Sequence, residues 1–151
     1  MDVSACNQLK SIVSNALFSE NRLRLKTALN RAGFEKNVFV FVEGGHEKHR
    51  YNTDMIEGDA LVFRQESYFF WCFGVVEPGF YGAIDLASGK SYLFMPQLPE
   101  SCAVWYGKIF DRQHFKEKYE VDAVFHDTDI VEELKTLKAK KILLLVIYSI
   151  F

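Results

Sequence analysis

Three cysteines in 151 residues, Cys6, Cys72 and Cys102, are an odd number with no close spacing. A disulfide framework is not expected from them; reduced thiols of a cytoplasmic protein are. Charge of one sign is also missing. Lys and Arg number 18 against 20 Asp and Glu, interspersed to a net −2, so there is no electrostatic case for nucleic acid or an anionic membrane as partner. The opening MDVSACNQLKSIV has no basic start followed by an apolar core, hence no secretory signal. The run from Ile142 to Phe151 is almost wholly apolar. It is far short of the ~20 residues that span a bilayer, which leaves a buried strand as the expectation. No internal repeat and no low-complexity segment occurs.

What is present is ordinary in bulk and unusual in detail. The hydrophobic share of 49% and charged share of 25% fit one globular domain able to bury a core without metal or disulfides. Aromatics reach 15%, with 14 Phe, which points to a well-packed core or an aromatic contact surface. Helical spacing predicts a helix over Ala16 to Ala32. Phe18, Leu25, Ala28, Leu29 and Ala32 form its packing face, Arg22, Lys26, Asn30 and Arg31 face away, and Gly33 follows the end. VFVFVE at 38–43 predicts a strand covered on both sides, closed by Gly44-Gly45. The polar stretch after it, HEKHRYNTDMIEGDA, reads as an exposed connection.

The stretch Phe63 to Ile109 is the most informative. Phe63 to Phe73 reads as a compact aromatic turn, and Glu77-Pro78-Gly79 as a reversal. Strands at Tyr81–Leu86 and Ser91–Met95 then flank a turn at Ala87-Ser88-Gly89-Lys90, the pattern of a hairpin. Glu100 to Gly107 reads as a helical turn or irregular segment. Beyond it, Asp111 to Tyr119 predicts a helix capped by Asp111, with Phe115 and Tyr119 on one side. A strand at Ala123-Val124-Phe125 precedes a helix at 129–138. Its buried stripe is Ile130, Val131, Leu134 and Leu137, and Asp127 or Asp129 caps it. Helices and strands that alternate around one hairpin argue an α/β domain with a mixed sheet and flanking helices.

Several patterns suggest chemistry and do not hold it. Gly89-Lys90-Ser91 resembles the end of a phosphate loop, but that motif needs Gly at position 84, where Ile stands. His46-Glu47-Lys48-His49 has one residue too few between Glu and the second His for a zinc peptidase helix. His114 and His126 are isolated and are expected at the surface. Glu77 and Asp85 have nothing in the sequence to bring them together as an acid–base pair. Arg64 to Phe73 could be a recognition surface, but with seven of the eleven residues from Phe63 apolar or aromatic, a buried turn is favoured. Trp105, beside Tyr106-Gly107, fits a core or an interface anchor equally well.

In one order, FRQES, WCFGVVEPGFYGAID, GKSYLF, P-x-LP, Trp105-Tyr106-Gly107-Lys108 and HFKEKY recur. Together they resemble the N-terminal domain of the Xaa-Pro dipeptidase (prolidase) family, which creatinase and aminopeptidase P share. The resemblance covers roughly Ala16 to Leu145 and is weak before Val38. The connection before Phe63 is several residues longer than the pattern. It implies an α/β domain of ribonuclease H-like motif, single over 1–151 and shortened at its C-terminal end. A splice form, an incompletely read gene or a cut fragment would each produce that.

The resemblance also implies a division of labour. The full-length family hydrolyses dipeptides with C-terminal proline on two manganese ions, held by two Asp, one His and two Glu. None of these five can be assigned to a residue of this chain, so the chain alone is expected to bind no metal and to be inactive. Trp105 is implied to reach from this domain toward the active site of a dimer partner and pack on the substrate. The expected partners are itself or full-length prolidase subunits, with the Xaa-Pro dipeptide met only through a partner's catalytic domain. An alternative is a stand-alone interaction module or short isoform that modulates full-length subunits.

Overall fold

The computed structural model describes residues 13–34, 37–47, 63–99, 101, 104 and 108–145. Helix α1 (Asn15–Arg31) starts at Ser14, whose hydroxyl accepts from the Ala16 amide. Strand β1 (Val38–Glu43) is followed by helix α2 (Ser67–Phe73), strands β2 (Tyr81–Asp85) and β3 (Ser91–Met95), and helix α3 (Arg112–Tyr119). Strand β4 (Ala123–His126), a 3₁₀ turn, helix α4 (Ile130–Thr136) and strand β5 (Lys141–Leu145) complete the order.

The strands form one mixed sheet in the order β4-β3-β2-β1-β5. β2 runs antiparallel to both β1 and β3, while β4 and β5 pair in parallel with β3 and β1. Strand β2 is therefore the one reversed strand of the sheet, placed there by the hairpin. Each parallel connection needs a crossover, and helices supply them.

The two faces of the sheet are covered unequally. One carries Val38, Val40, Val42, Ile84 and Leu93 against Phe69 and Phe73 of α2, Phe115 and Tyr119 of α3, and Leu25 and Leu29 of α1. The other carries Phe39, Tyr92 and Phe94 against Ile130 and Leu134 of α4 and Leu137 just past its end. β1 is thus covered on both sides, as its non-alternating sequence predicts.

Four expectations are corrected. Phe63 to Phe73 is not a turn throughout, because Ser67–Phe73 is helical. The carboxylate of Glu66 accepts from the Tyr68 and Phe69 amides, and Gly74 ends the helix at φ 65. Arg22, expected in solvent, is buried together with Asn21, while Ala28 and Ala32 are exposed. Helix α1 is held as much by polar bonds to neighbouring carbonyls as by an apolar stripe. In α4, Val131 is exposed, because the short helix meets the sheet along Ile130, Leu134 and Leu137 only. Among the described residues strand β5 is an edge of the sheet rather than a buried strand, with Ile142 and Leu144 exposed. Residues 146–151, and the 100–107 segment apart from Ser101 and Val104, lie outside the described residues.

Candidate functional site

The described chemistry gathers where the turn before β2 meets α3. Glu77 precedes β2, and its carboxylate accepts from Lys118 Nζ and from the Tyr119 hydroxyl, both at the C-terminal end of α3. The same hydroxyl accepts from the Val76 amide at 3.4 Å. On the chain's other side, Gln65 Nε2 donates to the Glu77 carbonyl at 2.9 Å. Burial works to raise the Glu77 carboxyl, but the bonds from Lys118 and Tyr119 outweigh it and hold the group below the usual glutamate value. An ionised carboxylate already matched by a lysine is a clamp and has no proton to give.

Beside the clamp lies an apolar pocket of about 260 Å³. The exit from β3 supplies Met95, Pro96 and Leu98; Lys108, Ile109 and Phe110 close the far wall. Phe110 stacks on His114 with ring centroids 4.0 Å apart, and Lys108 Nζ lies 5.5 Å from the Phe110 centroid. Such a lining can receive a flat apolar group and offers it one cation. It holds no nucleophile and no free general base.

The structure separates most of the sequence's candidates. Glu77 and Asp85 stand at opposite ends of β2, and Asp85 is engaged by Ala87 and Ser88 in the hairpin turn. Gly89 and Lys90 are exposed in that turn, with Gly89 at φ 83. His46 pairs with Glu43 at 3.1 Å, and His49 lies outside the described residues. His114 and His126 are half-buried rather than on the surface, and His126 Nδ1 is enclosed without a hydrogen-bond partner. Cys72 is buried, and desolvation pushes its thiol up to about 12, so it is inert as a nucleophile. Cys6 and Cys102 lie outside the described residues.

Trp105, the one residue implied to touch substrate, also lies outside the described residues. Leu98 and Lys108, on either side of it in sequence, both line the apolar pocket. Lys118 and Arg22 were not legible as structural ions. Apolar spacing marks only apolar faces, so a buried cation in an amphipathic helix reads as solvated.

The manganese pair of the implied family does not fit the residues described. Glu77 is matched by a lysine, Asp85 by a turn and Glu43 by a histidine. Among the described residues no three His, Cys, Asp or Glu side chains converge as a metal site. Also among them, no helix is long and apolar enough to cross a membrane.

Comparison with known proteins agrees with the fold. Residues 18–145 match the family described as aminopeptidase P, N-terminal domain. The chain is 47% identical over 131 residues to the Xaa-Pro dipeptidase of Homo sapiens, covering 86% of this chain and 26% of that protein. It is 48% identical over 120 residues to the Xaa-Pro dipeptidase of Rattus norvegicus, covering 79% and 24%. Among solved structures, zinc-substituted aminopeptidase P of Escherichia coli in complex with product superposes with a TM-score of 0.68 at 18% identity. That match covers 92% of this chain and 30% of the other. The chain spans about a quarter of the length of the curated relatives it matches. With the mixed sheet and its flanking helices in place, the chain belongs to the aminopeptidase P N-terminal domain family and is related within it to the Xaa-Pro dipeptidases.

Proposed function

We propose that this chain serves as the non-catalytic N-terminal domain of an Xaa-Pro dipeptidase, acting in the cytoplasm through a partner subunit. The observation that carries the reading is identity near one half to Xaa-Pro dipeptidases over a match confined to about a quarter of their length. Hydrolysis of a dipeptide ending in proline, with its manganese chemistry, belongs in this reading to the partner's catalytic domain. The chain contributes dimer contacts and the ring of Trp105, brought against the small substrate. Support for Trp105 is the run Trp105-Tyr106-Gly107-Lys108, which matches the family's pattern.

The test uses the purified chain with manganese and Gly-Pro. No turnover above background is expected, and turnover would overturn the non-catalytic assignment. Mixed with full-length Xaa-Pro dipeptidase subunits, the wild-type chain is expected to co-elute with them. In the mixed dimer, Trp105→Ala is expected to raise KM for Gly-Pro and leave the association unchanged. Failure to co-elute, or an unchanged KM, removes the role in trans.

A further inference from the structure

The chain that leads from β3 toward Trp105 is tied where it leaves the sheet. Met95, the last residue of β3, pairs with His126 of β4. Two residues later the Gln97 amide donates to Asp127 Oδ1 at 3.2 Å. Asp127 is itself held, because the same oxygen accepts from the Thr128 amide at 2.9 Å as the 3₁₀ turn begins. Gln97 is exposed and lies past the end of the strand. Its bond adds nothing to the sheet ladder and acts on the direction in which the chain departs.

The chain is tied again where it returns and enters α3. Asp111 caps the helix through the His114 amide. Phe110, just before the cap, meets Phe115 edge-on with ring centroids 6.3 Å apart. An apolar residue before the cap packed on one four positions after it fixes the angle at which a chain enters its helix. Phe110 carries more than that pairing requires. Its ring also stacks on His114 at an interplanar angle of 18° and lies near Lys108 Nζ, although it is 40% exposed. A half-exposed ring with three such neighbours limits where the backbone just before the helix can point.

The two ends stand together. Pro96, Gln97 and Leu98 line one cavity with Ile109, Phe110 and His126. Between these ends Val104, the residue before Trp105, is 83% exposed. A surface excursion with both ends bonded and an apolar side chain in solvent presents residues to something outside the domain.

We infer that Asp127 and His114 are positioning residues for Trp105. Asp127 sets the outgoing direction through the Gln97 amide, and His114 sets the return through the ring of Phe110. Neither touches substrate. The inference rests on the reading above, in which Trp105 meets the dipeptide in a partner's active site, and it names the side chains that aim the ring. A ring already held in direction loses less freedom when substrate binds, which lowers KM and leaves the chemical step alone.

Trp71 and Trp105 are the two tryptophans of the chain, so Trp71→Phe leaves Trp105 as the reporter. In that background Asp127→Ala and His114→Ala are each expected to raise acrylamide quenching of Trp105 about twofold and to lower its anisotropy. Phe110→Ala removes the other ring of the stack and is expected to match His114→Ala. Asp127→Asn keeps an acceptor for the Gln97 amide and His114→Phe keeps a flat ring against Phe110, so both are expected to restore the original signal. Gln113→Ala, on the same helix with its side chain bonded to Glu117, is expected to change nothing.

A second arm uses the chain mixed with full-length Xaa-Pro dipeptidase subunits. There His114→Ala is expected to raise KM for Gly-Pro about threefold at constant kcat, and to add nothing once Trp105→Ala is present. Trp105 fluorescence unchanged in both the Asp127→Ala and His114→Ala proteins overturns the inference, whatever the urea midpoint does. So does a Gln113→Ala effect as large as theirs, or a failure of the conservative variants to restore the signal. A KM effect of His114→Ala that persists beside Trp105→Ala gives His114 a separate role and overturns it too. An unchanged KM for Trp105→Ala overturns the reading above and not the anchoring, which the fluorescence of the chain alone upholds or overturns.

Discussion

The guanidinium of Arg22 donates to the carbonyl oxygen of Cys72 at 3.0 Å, which sets a cation of α1 against the C-terminal end of α2 inside the core. Its other amino group reaches the carbonyl of Glu120 at 3.4 Å, where α3 ends in a left-handed residue of φ 49. One side chain therefore satisfies the ends of two helices, and its plane lies over Phe73 with the central carbon 5.5 Å from the ring centroid. Burial lowers the Arg22 pKa from its usual value, yet the group stays charged at any working pH. Helix C-termini carry partial negative charge and unsatisfied carbonyls, so a buried cation is well matched there.

Arg22→Met is accordingly expected to cost about 3 kcal/mol, because it leaves two carbonyls without donors. Arg22→Lys is expected to fall between the two, since it keeps the charge and loses the fork that spans both carbonyls. Urea unfolding followed by tryptophan fluorescence measures both. A loss below about 1 kcal/mol for Arg22→Met would show that the two helix ends do not depend on it.

Glu77 makes stability depend on pH in a defined direction. Its folded pKa is lowered relative to the ordinary value of 4.5, against the opposing effect of its own burial. A lowered folded pKa means the contribution is fully present above the unfolded value and is lost as pH falls through the folded one. The urea midpoint is expected to hold from pH 7 to about 5 and to fall below about 4.5, where Glu77 of the unfolded chain takes a proton while the folded clamp still resists it. Glu77→Gln is expected to lower the midpoint at pH 7 and to flatten that fall. A slope below pH 4.5 identical in both proteins would assign the acid sensitivity elsewhere.

Gly82 lets the core close. A Cβ built there would lie 2.3 Å from the ring of Phe73, in a residue whose backbone is otherwise ordinary strand. Gly82→Ala is expected to destabilise by about 2 kcal/mol through overpacking. The double change with Phe73→Leu is expected to cost less than the sum of the two single changes, because the smaller side chain leaves room for the methyl group. Thermal unfolding of the four proteins closes the cycle. Strict additivity would place the strain away from Phe73.

Some of this architecture was legible before any coordinates. The hairpin was readable because Gly89 and the Asp85 turn punctuate two β-prone runs, and local backbone chemistry alone decides such a turn. Asp111 as the cap of α3 was readable for the same reason, and its carboxylate accepts from the His114 amide at 2.9 Å. The double covering of β1 followed from its unbroken apolar run. Helix α2 was missed because seven residues are too few for periodicity to show, and its cap is a glutamate, an uncommon cap residue. The clamp of Glu77, Lys118 and Tyr119 was missed because its members are 41 and 42 positions apart.

By itself, then, the sequence determined most of the elements and their order, the hairpin that joins β2 to β3, the mixed α/β class and the family to which the chain belongs. These rest on turn chemistry, apolar period and side-chain identity, all of which act over a few neighbouring residues. Tertiary structure alone decided that Arg22 is an interior ion, that Glu77 is a clamp rather than an acid, and that β5 pairs in parallel with β1 on the far side of the sheet from β4. Each of those depends on which distant segments pack together. A buried charge has no periodic signature; it becomes visible only when the neighbours that satisfy it are in place.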